Sequence, residues 1–204
     1  MKRFLKLFKK EETNHVVTIV SGLPRSGTSM MMKMLEAGGV LPLTDEIRTA
    51  DKDNPKGYYE FERVKKMPDG DKAWMVEAEG KSVKVISALL EHLPPEYTYK
   101  IIFMRRSMDE ILASQKKMLI RQGRPTDKVS DEDLAKMYEK HLTKVQTWLG
   151  SQANIAALDV DYNLLLENPR PYLEQIQKFL GKGLNIDNMG NIIDPQLYRQ
   201  RREQ

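Results

Sequence analysis

Eight residues, Gly22-Leu23-Pro24-Arg25-Ser26-Gly27-Thr28-Ser29, carry the clearest chemical signal in the chain. They lie between a β-branched run and a helical pattern, with two glycines five positions apart. A strand, a Gly-rich turn and a helix in that order make an anion cradle. The glycines let backbone N–H groups converge on one point, and the helix N-terminus adds the positive end of its dipole. The nucleoside-triphosphate version of this loop needs a lysine directly after the second glycine. Thr28 stands there instead. The one cation inside the loop is Arg25, two residues before Gly27, so its charge approaches an anion from a different side. Ordinary ATP or GTP hydrolysis is disfavoured, while anion binding is retained.

Two further segments carry spacing of the same kind. Lys100–Met104 reads as a short apolar strand running into Arg105-Arg106, and Ser114 follows Arg106 by eight residues. Ser107 with Glu110 three residues later reads as a capping box opening a helix over 107–121. Ser114 then lies on the face of Ser107, about 10 Å further along, so a phosphate would rest on the helix flank within reach of Arg106. The other segment is Asp161-Tyr162-Asn163-Leu164-Leu165, followed by Asn168-Pro169 and a helix closing on Phe179-Leu180-Gly181.

The Pro-Arg-Ser-Gly-Thr core resembles the 5′-phosphosulfate loop of the sulfotransferases, and is closest to the tyrosylprotein sulfotransferase branch. The resemblance implies transfer of a sulfuryl group from 3′-phosphoadenosine 5′-phosphosulfate (PAPS), which leaves as 3′,5′-adenosine bisphosphate, to a hydroxyl or amine acceptor. It implies cofactor contacts from Pro24, Arg25, Ser26, Gly27, Thr28 and Ser29, with Arg25 acting catalytically on the leaving phosphate oxygen. A fixed guanidinium at an oxygen that gains charge lowers the barrier. Arg106 and Ser114 match the pair that binds the 3′-phosphate, and the segment from Tyr162 to Gly181 matches a packing signature. The matches span about Val16 to Gly181. The chain departs from the family in being short, in lacking the late basic Gly-rich segment of the cytosolic branch, and in having Arg25 where that branch has lysine.

Transfer to a hydroxyl calls for a base within hydrogen-bond reach. In the tyrosylprotein branch a glutamate about twenty residues past the loop arginine serves, and Glu46 matches it. Glu60 and Glu62 are alternatives in the same polar, turn-rich stretch, Leu41–Pro68. His141 is another, because the cytosolic branch uses histidine, although its apolar helix face suits a core histidine. His15 and His92 have no partner spacing. Lys81 and Lys84, on the short strand Ser82–Ile86, end near the sheet edge where open α/β sheets bind ligands. No metal-ligand cluster is apparent.

The elements that must position these residues alternate. His15–Ser21, Ser82–Ile86, Lys100–Met104 and Ile155–Val160 read as strands, and helical stretches at Thr28–Ala37, Leu89–Leu93, 107–121, 130–149 and 171–180 separate them. That order implies an α/β chain: a single P-loop-type three-layer domain over 14–195, with a mostly parallel central sheet and helices on both faces. Residues 1–13 form a basic N-terminal tail, whose first ten could touch an anionic membrane surface. Residues 196–204, with Arg199, Arg201 and Arg202, form a basic C-terminal tail. The 204 residues are 40% apolar and 30% charged, a globular composition, and no apolar run is long enough to span a bilayer. Zero cysteines exclude disulfides and thiolate chemistry and fit a reducing, cytoplasmic setting. A net charge of +4 is too small to point to nucleic acid but suits a polyanionic small ligand. The rival classes are a nucleotide kinase with a degenerate loop and a non-catalytic sensor of PAPS or adenosine bisphosphate.

Overall fold

The β-branched run Val16–Val20 and the apolar run Ile101–Met104 fold here as strands covered on both faces. The computed structural model describes residues 15–45, 47, 57–181 and 183–193. Glu46 and both basic tails lie outside the described residues. The strands are β1 (Val16–Gly22), β2 (Ser82–Lys84), β3 (Thr98–Arg105) and β4 (Ile155–Asp161). They form one sheet in the order β2-β1-β3-β4. Every pairing is parallel: Ile19 lies beside Val83 on one side and Ile101 on the other, and Phe103 beside Asp159. β1 and β3 are the inner strands and the most apolar, as strands buried on both faces must be.

Strand alternation sends successive side chains to opposite layers. Val17, Ile19, Val83, Ile101 and Phe103 face one core, with Trp74, Leu90, Val145 and Leu149. Val20, Ile102, Met104 and Val160 face the other, with Met31, Met34, Leu35, Leu165 and Ile176. The helices are α1 (Thr28–Ala37), α2 (Met108–Arg121), α3 (Asp131–Ser151), α4 (Tyr162–Glu167), α5 (Pro169–Leu180) and α6 (Ile186–Gly190). The second core is closed by α1, α4, α5 and α6. The first is closed by α3 and by three 3₁₀ helices, Glu62–Asp69, Ala73–Ala78 and Ser87–His92.

Several local expectations change. The stretch around Leu89–Leu93 is 3₁₀ rather than α-helical. Strand β2 ends at Lys84, not Ile86. The apolar stripe of α3 is fully buried only in its second half: Val145 and Leu149 are buried, whereas Leu134 and Tyr138 are half-buried and Met137 is 60% exposed. The first half of α3 instead meets α2, where Tyr138 donates to Gln115 Oε1 at 3.1 Å. Ser130 caps it as expected, accepting from the Asp133 N–H at 3.0 Å. The capping box on α2 does not form. Ser107 holds the N-cap position without a side-chain capping bond, and the Glu110 carboxylate is turned inward to Arg106 and Asn163.

Candidate active site

β1 ends at Gly22, and the chain must reverse within five residues to start α1. Ser26 makes that turn: its N–H and its Oγ both donate to the Leu23 carbonyl, at 3.2 and 2.7 Å. Ser26 is 1% exposed, so its hydroxyl shapes the loop from within. Gly27 follows as the N-cap of α1 at φ +96°, a conformation that favours glycine. A Cβ at Gly27 would stand 2.4 Å from the Tyr162 ring, so the loop lies directly against that ring. The amino end of α1 opens here with Thr28 and Ser29 in its first turn, where backbone N–H groups have no partner inside the helix. Pro24 lies exposed at the tip.

Arg25 adopts φ +69°, uncommon for a residue with a side chain. The turn sends its two polar ends to two separate partners. Its Nε donates to Ser114 Oγ on α2 at 2.9 Å, and its carbonyl accepts from Arg106 Nη1 at 2.9 Å. Arg106 also donates from Nε to Glu110 Oε2 at 2.9 Å. Both members of that pair are buried, with side-chain exposures of 8% and 4%. Asn163 Nδ2 donates to the other Glu110 oxygen at 2.8 Å. The Arg106 guanidinium lies 4.6 Å from the centre of the Tyr162 ring. Asp161 fixes the start of α4, accepting from the N–H groups of Asn163 and Leu164. The loop, the β3–α2 junction and the β4–α4 junction are thus one hydrogen-bonded unit at the carboxyl edge of the sheet, where parallel sheets bind ligands.

The structure separates the two lysines of the β2 segment. Lys81 precedes β2 at the amino end of that strand, away from the loop edge. Lys84 ends β2 and is almost covered, with a side-chain exposure of 9%. Its Nζ donates to the Tyr58 carbonyl and lies 3.4 Å from Ser29 Oγ. Ser29 Oγ itself donates to the Tyr58 carbonyl at 3.3 Å. Glu60 joins this cluster, its Oε1 3.9 Å from Lys84 Nζ. Glu62 is turned to Lys65, at 2.6 Å. His141 is engaged elsewhere: its Nε2 is 2.8 Å from Ser87 Oγ, in a groove of about 150 Å³ lined also by Leu90, Val145 and Trp148.

Sequence reasoning placed Arg25, Arg106 and Ser114 at one site and the structure brings them together, although Ser114 meets Arg25 rather than Arg106. It missed Glu110, Asn163 and the position of Tyr162 under the loop. The signal for Glu110 was present in its i, i+4 spacing from Arg106.

A family model described as a sulfotransferase domain matches residues 17–202. Solved structures share the fold at low identity. The sulfotransferase domain of the curacin biosynthetic pathway is 15% identical over 81% of this chain and 73% of that one, with a TM-score of 0.51. The sulfotransferase domain of the Synechococcus PCC 7002 olefin synthase is 16% identical over 91% and 83%, with a TM-score of 0.53. A sulfotransferase from Mycobacterium tuberculosis H37Rv is 14% identical over 87% and 70%, with a TM-score of 0.56. No match was found among curated protein sequences. Among the described residues, no helix is long and apolar enough to cross a membrane.

Proposed function

We propose that this chain, which belongs to the sulfotransferase family by its match over residues 17–202, takes PAPS as donor and a hydroxyl or amine as acceptor. The observation that carries the reading is the junction at Arg25, a loop cation fixed from both ends by Ser114 and Arg106. The residues present fit a phosphosulfate. A glycine that admits no side chain, a helix amino end, and the donors Arg25, Ser29 and Lys84 converge on one edge of the sheet. When bound, PAPS supplies an activated sulfuryl group on a phosphate leaving group.

The chain's own groups then divide the work. The loop N–H groups from Gly27 to Ser29 and the end of the α1 dipole hold the anion. Arg25 faces the oxygen that gains charge and contributes most where that charge develops. Ser114 and the remaining N–H donors of Arg106 hold the 3′-phosphate. Glu110 and the Tyr162 ring keep Arg106 aimed, and the buried Glu110 also makes it costly for Arg106 to leave. A carboxylate of the segment between Leu41 and Pro68 takes the acceptor proton.

Thermal shift with PAPS, adenosine bisphosphate, 5′-AMP, ATP and GTP tests the donor. A ligand at 100 times its dissociation constant adds about 2.7 kcal/mol to the stability of the fold. PAPS and adenosine bisphosphate should stabilise the chain well beyond 5′-AMP. Preferential stabilisation by ATP or GTP would refute the reading.

A further inference from the structure

The cation at the end of β2 is held by protein oxygens at the mouth of the loop. Lys84 Nζ is shared among the Tyr58 carbonyl, Ser29 Oγ and Glu60 Oε1. Two of these partners belong to one short irregular stretch, 57–61, whose backbone is unusual. Gly57 has φ +89° and Tyr59, which carries a side chain, has φ +53°. That stretch is anchored from below. Phe61 packs edge-on against the buried Trp74 at 5.4 Å. The Glu60 carbonyl accepts from Thr44 Oγ1 at 2.8 Å, and Asp45 Oδ2 accepts from the Glu62 N–H at 2.6 Å. The Glu60 side chain, 17% exposed, is therefore presented from a fixed backbone beside a loop built for an anion.

We propose that Glu60 is the proton acceptor for the acceptor's hydroxyl, and that donor binding arms it by drawing Lys84 away. The Tyr58 carbonyl and the Glu60 carboxylate hold this ammonium in the structure. A sulfuryl group beside Ser29 competes for the same ammonium, because it offers full negative charge at short range. Once Lys84 turns to it, Glu60 loses one of its two counter-charges and gains basicity. The step then balances. The acceptor oxygen forms a new O–S bond and its proton passes to Glu60. The S–O bond to the 5′-phosphate breaks, and its electron pair stays on the phosphate oxygen faced by Arg25. Donor must bind before the acceptor is activated. Lys65 remains 3.2 Å from Glu60 Oε2 and is shared with Glu62, which moderates the gain without removing it.

The proposal rests on PAPS being the donor, and its test separates the two. PAPS is titrated calorimetrically into the full chain and into Glu60→Gln and Glu60→Asp, in buffers of different ionisation enthalpy between pH 5 and 6.5. Lys84 and Lys65 lie against the Glu60 carboxylate, and Glu62 shares Lys65; all three are unchanged in the variants. Any proton exchange by the nucleotide's own phosphates is common to all three proteins. The Glu60→Gln variant should bind PAPS roughly three- to tenfold tighter, since no carboxylate competes for Lys84. It should also lose a component of proton uptake that the parent and Glu60→Asp retain. Release of adenosine bisphosphate from PAPS with water as acceptor should fall at least a hundredfold in Glu60→Gln and recover in part in Glu60→Asp. Binding to Glu60→Gln that is equal or weaker, with proton uptake unchanged, overturns the role of Glu60 while leaving the donor intact. So does turnover lost in Glu46→Gln but kept in Glu60→Gln. A parent chain that binds ATP and not PAPS overturns both.

Discussion

Arg25 Nε donates to Ser114 Oγ at 2.9 Å, across 89 residues of chain. The contact joins the β1–α1 loop to α2, so the group we assign to the leaving oxygen and a group we assign to the 3′-phosphate hold each other in register. A long, flexible cation is thereby oriented before any ligand arrives, which lowers the entropy lost on reaching the transition state. Arg25→Ala should reduce turnover by a hundredfold or more, on the order of 3 kcal/mol, and weaken adenosine bisphosphate binding far less. Ser114→Ala should cost both turnover and bisphosphate affinity, because it removes a contact and a positioning partner together. Equal losses of affinity and turnover in Arg25→Ala would mark Arg25 as a uniform binder.

Arg106, which we assign to the 3′-phosphate, also holds up the site. Its bond to Glu110 lies between side chains only 8% and 4% exposed, and breaking a buried pair from one side leaves a charge without compensation. Arg106→Ala should destabilise the fold by about 3–5 kcal/mol, read as a lower urea midpoint. Arg106→Met combined with Glu110→Leu should recover much of that stability, while preference for adenosine bisphosphate over 5′-AMP stays lost in both. Recovery of that preference in the double variant would remove Arg106 from the 3′-phosphate site.

How much of this was legible in the sequence depends on the range of the interaction. Strands β1 and β3 announce themselves because an apolar run buried on both faces needs no partner to be recognised. The glycines of the loop announce themselves because backbone geometry is local. Ser107 and Glu110 misled because their spacing suits a capping box, yet the carboxylate meets stronger partners in Arg106 and Asn163. Asn163 lies 53 residues from Glu110, beyond any local pattern. The α3 stripe misled because amphipathic spacing shows which face is apolar, and not how much of it is covered: Met137 is 60% exposed. Lys84 looked like any lysine at a strand end until Tyr58 and Glu60 closed over it.

Gly27 offers a test of how tightly the loop is built. Its φ of +96° disfavours any side chain, and a Cβ there would overlap the Tyr162 ring at 2.4 Å. Gly27→Ala should cost about 2–4 kcal/mol of stability and abolish anion binding at the loop. Tyr162→Ala in that background should relieve the overlap but leave the backbone strain, so the two changes should be non-additive. A fully stable Gly27→Ala chain that still binds adenosine bisphosphate would mean that the loop rearranges freely.

His141 should make stability pH-dependent in a window of its own. Burial, reinforced by Lys144, holds its pKa below the usual histidine value, with Glu91 opposing. The imidazole is therefore neutral in the fold, and its Nε2 meets Ser87 Oγ at 2.8 Å. The unfolded chain accepts a proton near pH 6.5, so protons favour unfolding once the pH falls below that value. Stability should be flat with pH above about 6.5, decline below it, and level off again beneath the depressed folded pKa. Asp71, held below the usual carboxylate range by its bond to Arg63, acts only at more acid pH, below about 4. His141→Asn keeps an amide for Ser87 and cannot titrate. Urea midpoints at pH 7.5, 6.5 and 5.5 should fall for the parent across the last two points and stay level for the variant. Parallel profiles for the two proteins would show that His141 is charged equally in the folded and unfolded chains.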